Sequence, residues 1–507
     1  MTDPANAQPA ASASRAGAAS GTASARPRLR ALLVAGGRVS LAVVAAASAV
    51  VLAGAVLLIP SPVVVSAGTS VEVTPDRSDQ VLVCAGGALG LTRGDNPQVA
   101  AVAEPRLRSS GEGLIESSVT TSDALGGGAT AVTLPQGAPG DAVAATQIVR
   151  AGTSDVSGLA ASECLPAARS AWLVGGSTTV GRTTFIVITN ADAVNATVEL
   201  RVWGDAGPIV APGLSGIIVA AGSQRVISLA GIAVGQQSPV VHVASRGGSV
   251  SATLQTTVVR GLTPSGLSIV TPLDEPALRH VIAALPIIAS QSVLEQFTAD
   301  GGTDGLPTLR LLAPDNADAV VSVTLIPVAG GTGLSTELQL DAGIVRDLPF
   351  TGLADGEYSV VVDSDVPIVV AGRTAAAAAA AAGPDGLDGP GGPGGLDIEW
   401  FTPSPLLSAG ASVLAAIAPL DGLDASLAAS VHLVAPDGDA VVTIDGVAIT
   451  VPAGQSVVVP SVANVGVRIE TTAPVYVSFT YRGEGLLAGS RVLGPPSVGQ
   501  PLRVFPS

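Results

Sequence analysis

The chain has 507 residues, enough for several domains, and 47% of them are hydrophobic although aromatics make up only 2%. Its 24 basic residues, all Arg, are outnumbered by 40 acids, for a net charge of −16. So acidic a chain lacks the basic face that nucleic acid requires and is repelled by anionic lipid, which excludes a nucleic-acid partner.

Residues 1–38 are rich in Ala, Ser and Gly and hold five of the Arg and one acid, Asp3. They have too little apolar surface to build a core and are expected to form a disordered cytoplasmic tail. Val39 to Ile59 then runs 21 residues without a charge. At about 1.5 Å per residue it reaches roughly 31 Å, one bilayer core. Arg26, Arg28, Arg30 and Arg38 precede the run and no charge comes after it until Glu72. By the positive-inside rule the run reads as a single-pass transmembrane helix with the N-terminus inside and the rest extracytoplasmic. It exceeds the apolar part of a secretory signal, so an uncleaved anchor is expected, with Val65-Ser66-Ala67 as the competing cleavage site. Residues 60–70 form a short stalk. Beyond the run lie 19 Arg and 39 acids, a net charge of −20.

From residue 71 onward, abundant Val and Thr punctuated by Gly and Pro predict many short strands and an all-β ectodomain. Residues 71–170 carry Cys84 and Cys164, the only two cysteines. An even count in an oxidising compartment, with no Cys-x-x-Cys spacing, predicts a structural disulfide. It would close a loop of about 80 residues, with a chain-entropy ceiling of roughly 4–5 kcal/mol. This region does not align with the rest of the chain and is expected to be a divergent β-domain.

Three later stretches read alike, each as strand, polar turn, strand: Thr184 to Val194, Leu309 to Val320 and Val431 to Val441. Their turns are Asn190-Ala-Asp192, Asn316-Ala-Asp318 and Asp437-Gly-Asp439. Asn, Asp and Gly tolerate left-handed backbone and bond locally, so a hairpin is expected at each. A second hairpin comes next at Gly222, Gly343 and Gly454, and a kinked strand pair at Val243–Val250, Val362–Pro367 and Ile469–Pro474. The turns are 126 and 121 residues apart. With about seven strands per period this suits an immunoglobulin-like β-sandwich and is too long for a propeller blade. The repeats are placed at 171–279, 280–407 and 408–507. Within the second, Ala375 to Ala382 and the Gly/Pro tract after them make 374–396 an expanded loop.

Chemistry-bearing patterns are few. His242, His280 and His432 have no metal-ligand spacing. Each turn pair (Asn190 and Asp192, Asn316 and Asp318, Asp437 and Asp439) offers two side chains, far short of the six to eight oxygens calcium takes, and is read as structural. Asp385, Asp388 and Asp397 are read as solvating charges of the Gly-rich loop. Trp172, opening the motif Trp172 to Gly181, is read as an aromatic core anchor, with an exposed binding loop as the other reading. No nucleophile elbow, phosphate loop or zinc-protease helix is present, so no catalytic residue, metal or cofactor is expected.

The Trp172–Gly181 motif, the Asn190 turn and the placement of Cys84 and Cys164 resemble an uncharacterised actinobacterial family, a domain of unknown function. Its members have one N-terminal membrane span and an all-β extracytoplasmic region. Asp397-Ile-Glu-Trp400 before Pro403 also fits the family's pattern, and the likeness covers most of residues 60–503. Ala85 departs from it, since Pro is expected after the first Cys. The resemblance implies an envelope location and transfers no active site.

Together these readings predict a non-catalytic, membrane-anchored cell-envelope protein, a scaffold or binding module whose partner is an envelope protein or glycan. The alternative is an accessory subunit of an envelope glycan-assembly or export complex, packing its small-residue membrane face, Ala45 to Ala55, against a partner helix. An envelope polysaccharide hydrolase is the second alternative.

Overall fold

The computed structural model describes residues 71–73, 78–93, 96–140, 142–288, 290–299, 305–328, 330, 333–377, 396–494 and 502–504. The tail, transmembrane helix and stalk expected over 1–70 lie outside the described residues, as do 378–395 with Asp385 and Asp388. No helix among the described residues is long and apolar enough to cross a membrane. The chain divides into two compact units, Met1–Val73 with Leu502–Ser507, and Thr74–Pro501. In the first, Val71–Val73 pairs antiparallel with Leu502–Val504.

The second unit is almost entirely strand, with one described α-helix, Ser290–Ala299. Its strands fall into four modules, each built on two layers, and the first carries a further small sheet of Ala88–Leu91, Val99–Ala103 and Ala124–Leu125. The clearest is the second module. One sheet runs Ser170–Val174, Val240–Arg246, Ala196–Gly204, Gly207–Ile209. The other runs Thr263–Val270, Ser251–Arg260, Arg182–Asn190, Ser223–Ser228. With Gly207–Ile209 and Ile217–Val219, which both pair with Ala196–Gly204, counted as one broken strand, the first sheet holds strands one, six, three and four along the chain, and the second holds eight, seven, two and five. Period-two alternation drives the layering: Ala196, Val198, Leu200 and Val202 are buried against Ile186 and Ile188 of the facing sheet, while Thr197, Glu199 and Arg201 point away. Each such Val or Leu contributes about 1.5–3 kcal/mol when buried.

The third and fourth modules repeat this order. The fourth has Ser412–Ile417, Val465–Thr471, Ala440–Ile444, Val447–Val451 in one sheet and Leu486–Arg491, Val475–Gly483, Ala428–Ala435, Gln455–Ser461 in the other. In the third, strands six and seven are one 22-residue strand, Gly356–Ala377. Its first half pairs with Ala277–Ile287 and Ala319–Pro327, its second with Thr308–Leu312 and Leu396–Phe401. The first module has the same skeleton without strands four and five: Gln80–Cys84, Thr130–Leu134, Ile115–Ser118 in one sheet, and Ser157–Glu163, Ala144–Gly152, Arg106–Ser110 in the other. The divergent region over 71–170 is therefore a fourth, pared-down copy.

Several expectations need correction. The repeated turns are not hairpins. Arg182–Asn190 and Ala196–Gly204 lie in different sheets, so Asn190-Ala-Asp192 carries the chain from one layer to the other, as do the Gly222 turn and the equivalents in the later modules. Alternating apolar residues look the same whether a strand's neighbour lies beside it or across the core. Hairpins form instead between strands seven and eight, as at Gly483↔Leu486. The order also differs from that of immunoglobulin domains, where the first strand lies beside the second. Here strand one pairs with strand six and strand seven takes the place beside strand two. The boundary at 280 cuts the strand Ala277–Ile287, and Ala375–Ala377 extend a strand rather than a loop.

The four modules close into a ring. The first packs on the second through Leu89 against Phe185 and Val187, and through Val149 and Ala160 against Leu267 and Ile269. Val369, Ala371 and Trp400 of the third enter the core of the second. Val434 and Tyr476 of the fourth cover Val281 and Val361 of the third. Ile148, Leu159 and Ala161 of the first complete the circuit by joining the core of the fourth. The eighth strands of all four modules meet at the centre.

Candidate functional site

At that centre a single carboxylate receives all four modules. Asp397 is fully buried on the eighth strand of the third module. Its Oδ2 accepts the N–H groups of Leu159 at 2.8 Å and Leu487 at 3.2 Å. Its Oδ1 accepts those of Leu267 at 3.2 Å and Ile398 at 3.1 Å. The first and second modules have Gly158 and Gly266 at the aligned position, and a Cβ on Gly158 would stand 2.5 Å from Asp397 Oδ1. Burial raises the Asp397 carboxyl to about 7 against the pull of these four donors. Two residues on, Glu399 is 1% exposed and hydrogen-bonds to the Ser268 hydroxyl and the Gly489 N–H, while its Oε2 has no partner. Burial, then the charges of Asp397 and Glu163, push Glu399 well above the usual carboxylate range. Glu163 is neutralised by Arg491 at 2.6 Å, whose backbone N–H it also accepts at 2.9 Å. Asp397 is thus no solvating loop charge. The signal for its burial is the alternation of two acids with Leu396, Ile398 and Trp400 in an apolar run.

A second buried ion pair joins the second and third modules. Arg310, with no exposed side-chain surface, forks onto Asp347 at 2.9 and 3.0 Å. It donates to the carbonyls of Gly176 at 2.7 Å, Gln237 at 3.1 Å and Pro239 at 3.2 Å, and lies 4.6 Å over the Trp400 ring. Burial opposes ionisation of Asp347, but Arg310 and the Ser238 hydroxyl outweigh it and hold the carboxyl below its ordinary value.

The turn residues singled out from the sequence lie at one end of the modules, away from one another. Asn190 is buried, accepts the Asp192 N–H at 3.0 Å and donates to Val194 O and Val219 O. Asp318 accepts the Ala342 N–H at 2.9 Å, and Asp439 the Ala453 N–H at 2.8 Å. Asn316 is exposed, and Asp437 pairs with Arg279 at 2.8 Å. No group of three or more His, Cys, Asp or Glu side chains among the described residues is arranged to hold a metal. Cys84 and Cys164 form a disulfide between the first strand and the end of the eighth in the first module. Trp172 lies in the core of the second module, stacked on Trp203 at 5.2 Å and His242 at 4.3 Å. Burial lowers His242 to about 4 and His432 to about 3, and lowers His280 also, so all three stay neutral inside.

The opposite end carries a cleft of about 400 Å³, lined by Arg150, Ser157, Leu396, Asp424, Ser426 and Glu484 among others. It brings together strand residues of the first and third modules and turns of the fourth, and the chain neighbours of its Ser157 and Leu396 are the hub residues Gly158 and Asp397. Ser426 ties two of its loops: its hydroxyl accepts the Glu484 N–H at 2.9 Å and donates to Asp424 at 2.6 Å. The Ser426 hydroxyl and the Ser426 backbone N–H, the latter at 2.9 Å, together hold Asp424 below the usual carboxylate range. Arg150 donates to Gly158 O at 3.2 Å and to Ala151 O. The cleft thus offers two carboxyl groups, a guanidinium and hydroxyls in contact with solvent, a set suited to a polar ligand.

The chain belongs to a family of unknown function, DUF5719, whose match spans residues 118–463 and so runs from the first module into the fourth. No curated protein matches it.

Proposed function

We propose that this member of a family of unknown function is a non-catalytic binding or scaffold protein of the cell envelope. In this reading the apolar run Val39 to Ile59 anchors it, and four immunoglobulin-like modules, with first and seventh strands exchanged, stand outside the membrane as one ring. The observation that carries the proposal is the cleft. In it, residues of three modules converge on solvent-facing polar groups. The Cys84–Cys164 disulfide accords with an oxidising compartment. A glycoside hydrolase would place a carboxyl of raised pKa in an open cleft. Here the raised carboxyls, Asp397 and Glu399, are buried, and Asp424 in the cleft is lowered.

The test is crosslinking in intact cells, then capture through a C-terminal tag. A discrete envelope protein or glycan should be recovered with the wild type and lost with the Asp424→Ala, Glu484→Ala double variant. Recovery that is equal for both proteins would refute the cleft as the binding place. A tag that external protease cannot reach would refute the display.

A further inference from the structure

We infer that the carboxyl pair at the ring centre is a proton-dependent clasp: the ring is closed while Glu399 keeps its proton and loosens when Glu399 ionises beside Asp397.

The geometry assigns the two carboxyls different states. Both oxygens of Asp397 accept N–H donors only, two each, so an added proton would point into a donor. Asp397, held at about 7 by burial against its four donors, is therefore the first of the pair to ionise. Glu399 has room for a proton on Oε2, the oxygen without a partner. A second charge there would face Asp397 on its own strand and Glu163 on the eighth strand of the first module. The eighth strand of the fourth module supplies Arg491, which is spent on Glu163 and on Pro403 O at 3.0 Å. Beneath it Tyr481, raised by burial to about 12, stays neutral. The second module offers Ser268, and the neighbouring strand of the third module sets Thr374 opposite Glu399 and Arg373 over the Trp400 ring. Among the described residues no ion pair neutralises Asp397 or Glu399.

The consequence falls on the ring rather than on any one module. The donors to Asp397 come from the eighth strands of the four modules, so whatever displaces its carboxylate releases the other three modules together. Linkage gives the sign. Glu399 has a raised folded value, so its contribution is fully present below its ordinary range and is lost as pH rises through the folded value. Within that window the opening constant rises by up to about tenfold per pH unit for one proton. The three histidines act with the opposite sign and only below their ordinary 6.5, while Asp397, raised to about 7, acts with the same sign as Glu399 up to that value, so the range above 7 reads Glu399.

Hydrogen exchange of the full chain in detergent, corrected for intrinsic rates between pH 6.5 and 8.5, tests this. Peptides containing Leu159, Leu267 and Leu487 should lose protection together as pH rises, while the core peptide Val198–Val202 keeps its own. Glu399→Gln should flatten the profile above about 7. Glu163→Gln removes a like charge and should end the loss at lower pH and make it smaller. Should Glu399→Gln fail to fold, the wild-type profile and the Glu163→Gln shift still decide. Flat wild-type protection, a slope above about 7 unchanged in Glu399→Gln, or equal loss in the Val198–Val202 peptide would each overturn the clasp.

Discussion

At one end of the second, third and fourth modules the turns are tied to each other by one recurring pair of bonds, whereas at the other end the connections differ from module to module. In the tied end an Ala N–H meets a side-chain oxygen of the polar turn: Ala221 on Asn195, Ala342 on Asp318, Ala453 on Asp439. The Gly after it donates to a carbonyl: Gly222 to Asp192, Gly343 to Ala313, Gly454 to Ala435. The other end holds a helix in the third module, Ser290–Ala299, a short crossed-over loop at Thr178 and Gln236 in the second, and the Asp424–Ser426 turn in the fourth. Bonds that recur are those the layered module needs to turn its chain between sheets. The varied end is released from that duty and has room for a cleft, as loops on a rigid scaffold commonly do.

Substitutions can break or sharpen this contrast. The largest effect is expected between the ends, at the hub. Asp397→Ala strands four buried N–H groups, at about 1–3 kcal/mol each, so the loss should be about 4 kcal/mol or more by urea unfolding. A midpoint within error of the wild type would remove Asp397 from the assembly of the ring. Next, Arg310→Met leaves Asp347, whose side chain is 20% exposed, and three carbonyls without their cation and should cost about 3 kcal/mol in the same measurement. Replacing both Cys84 and Cys164 by Ala should cost about 2–4 kcal/mol, read as the difference between oxidised wild type and variant. At the tied end, Asp318→Ala and Asp439→Ala should each cost about 1 kcal/mol and add in the double variant, since they lie in separate modules. At the cleft end, Asp424→Ala should cost less than Asp439→Ala, because its partner Ser426 lies two residues on in the same turn and ties no second strand to it. If it destabilised as much as Asp439→Ala, the two ends would not differ in the way described.

Much of each module is legible in the sequence. The strands of the three repeats, their polar turns and the pairing of Cys84 with Cys164 are all present in the structure. These features are local or depend on composition: side-chain alternation, the hydrogen-bonding habit of Asn and Asp, and an even number of cysteines. The turns nevertheless read as hairpins, wrongly, because local chemistry specifies a bend and not which sheet the next strand joins. The first module can be suspected as a divergent sandwich from its strands and turns, but it does not align with the other copies because it lacks strands four and five, and with them the Ala-Gly turn that marks them. The hub reads the wrong way round. Asp397 comes after a Gly- and Pro-rich tract, where a carboxylate is ordinarily solvated, and only the run Leu396 to Phe401 hints otherwise.

The amino-acid sequence alone determines that this chain is acidic, strand-forming and built from repeats near 120 residues long, with polar turns at fixed places. It does so because periodicity, turn propensity and charge act over a few residues at a time. The tertiary structure decides the exchanged strand order, the closing of the four modules into a ring and the role of Asp397. Three of the four N–H groups on that carboxylate come from residues 90, 130 and 238 positions away along the chain. Nothing in the neighbourhood of Asp397 in the sequence encodes such partners. They exist only once four separate cores have formed and brought their eighth strands to one axis.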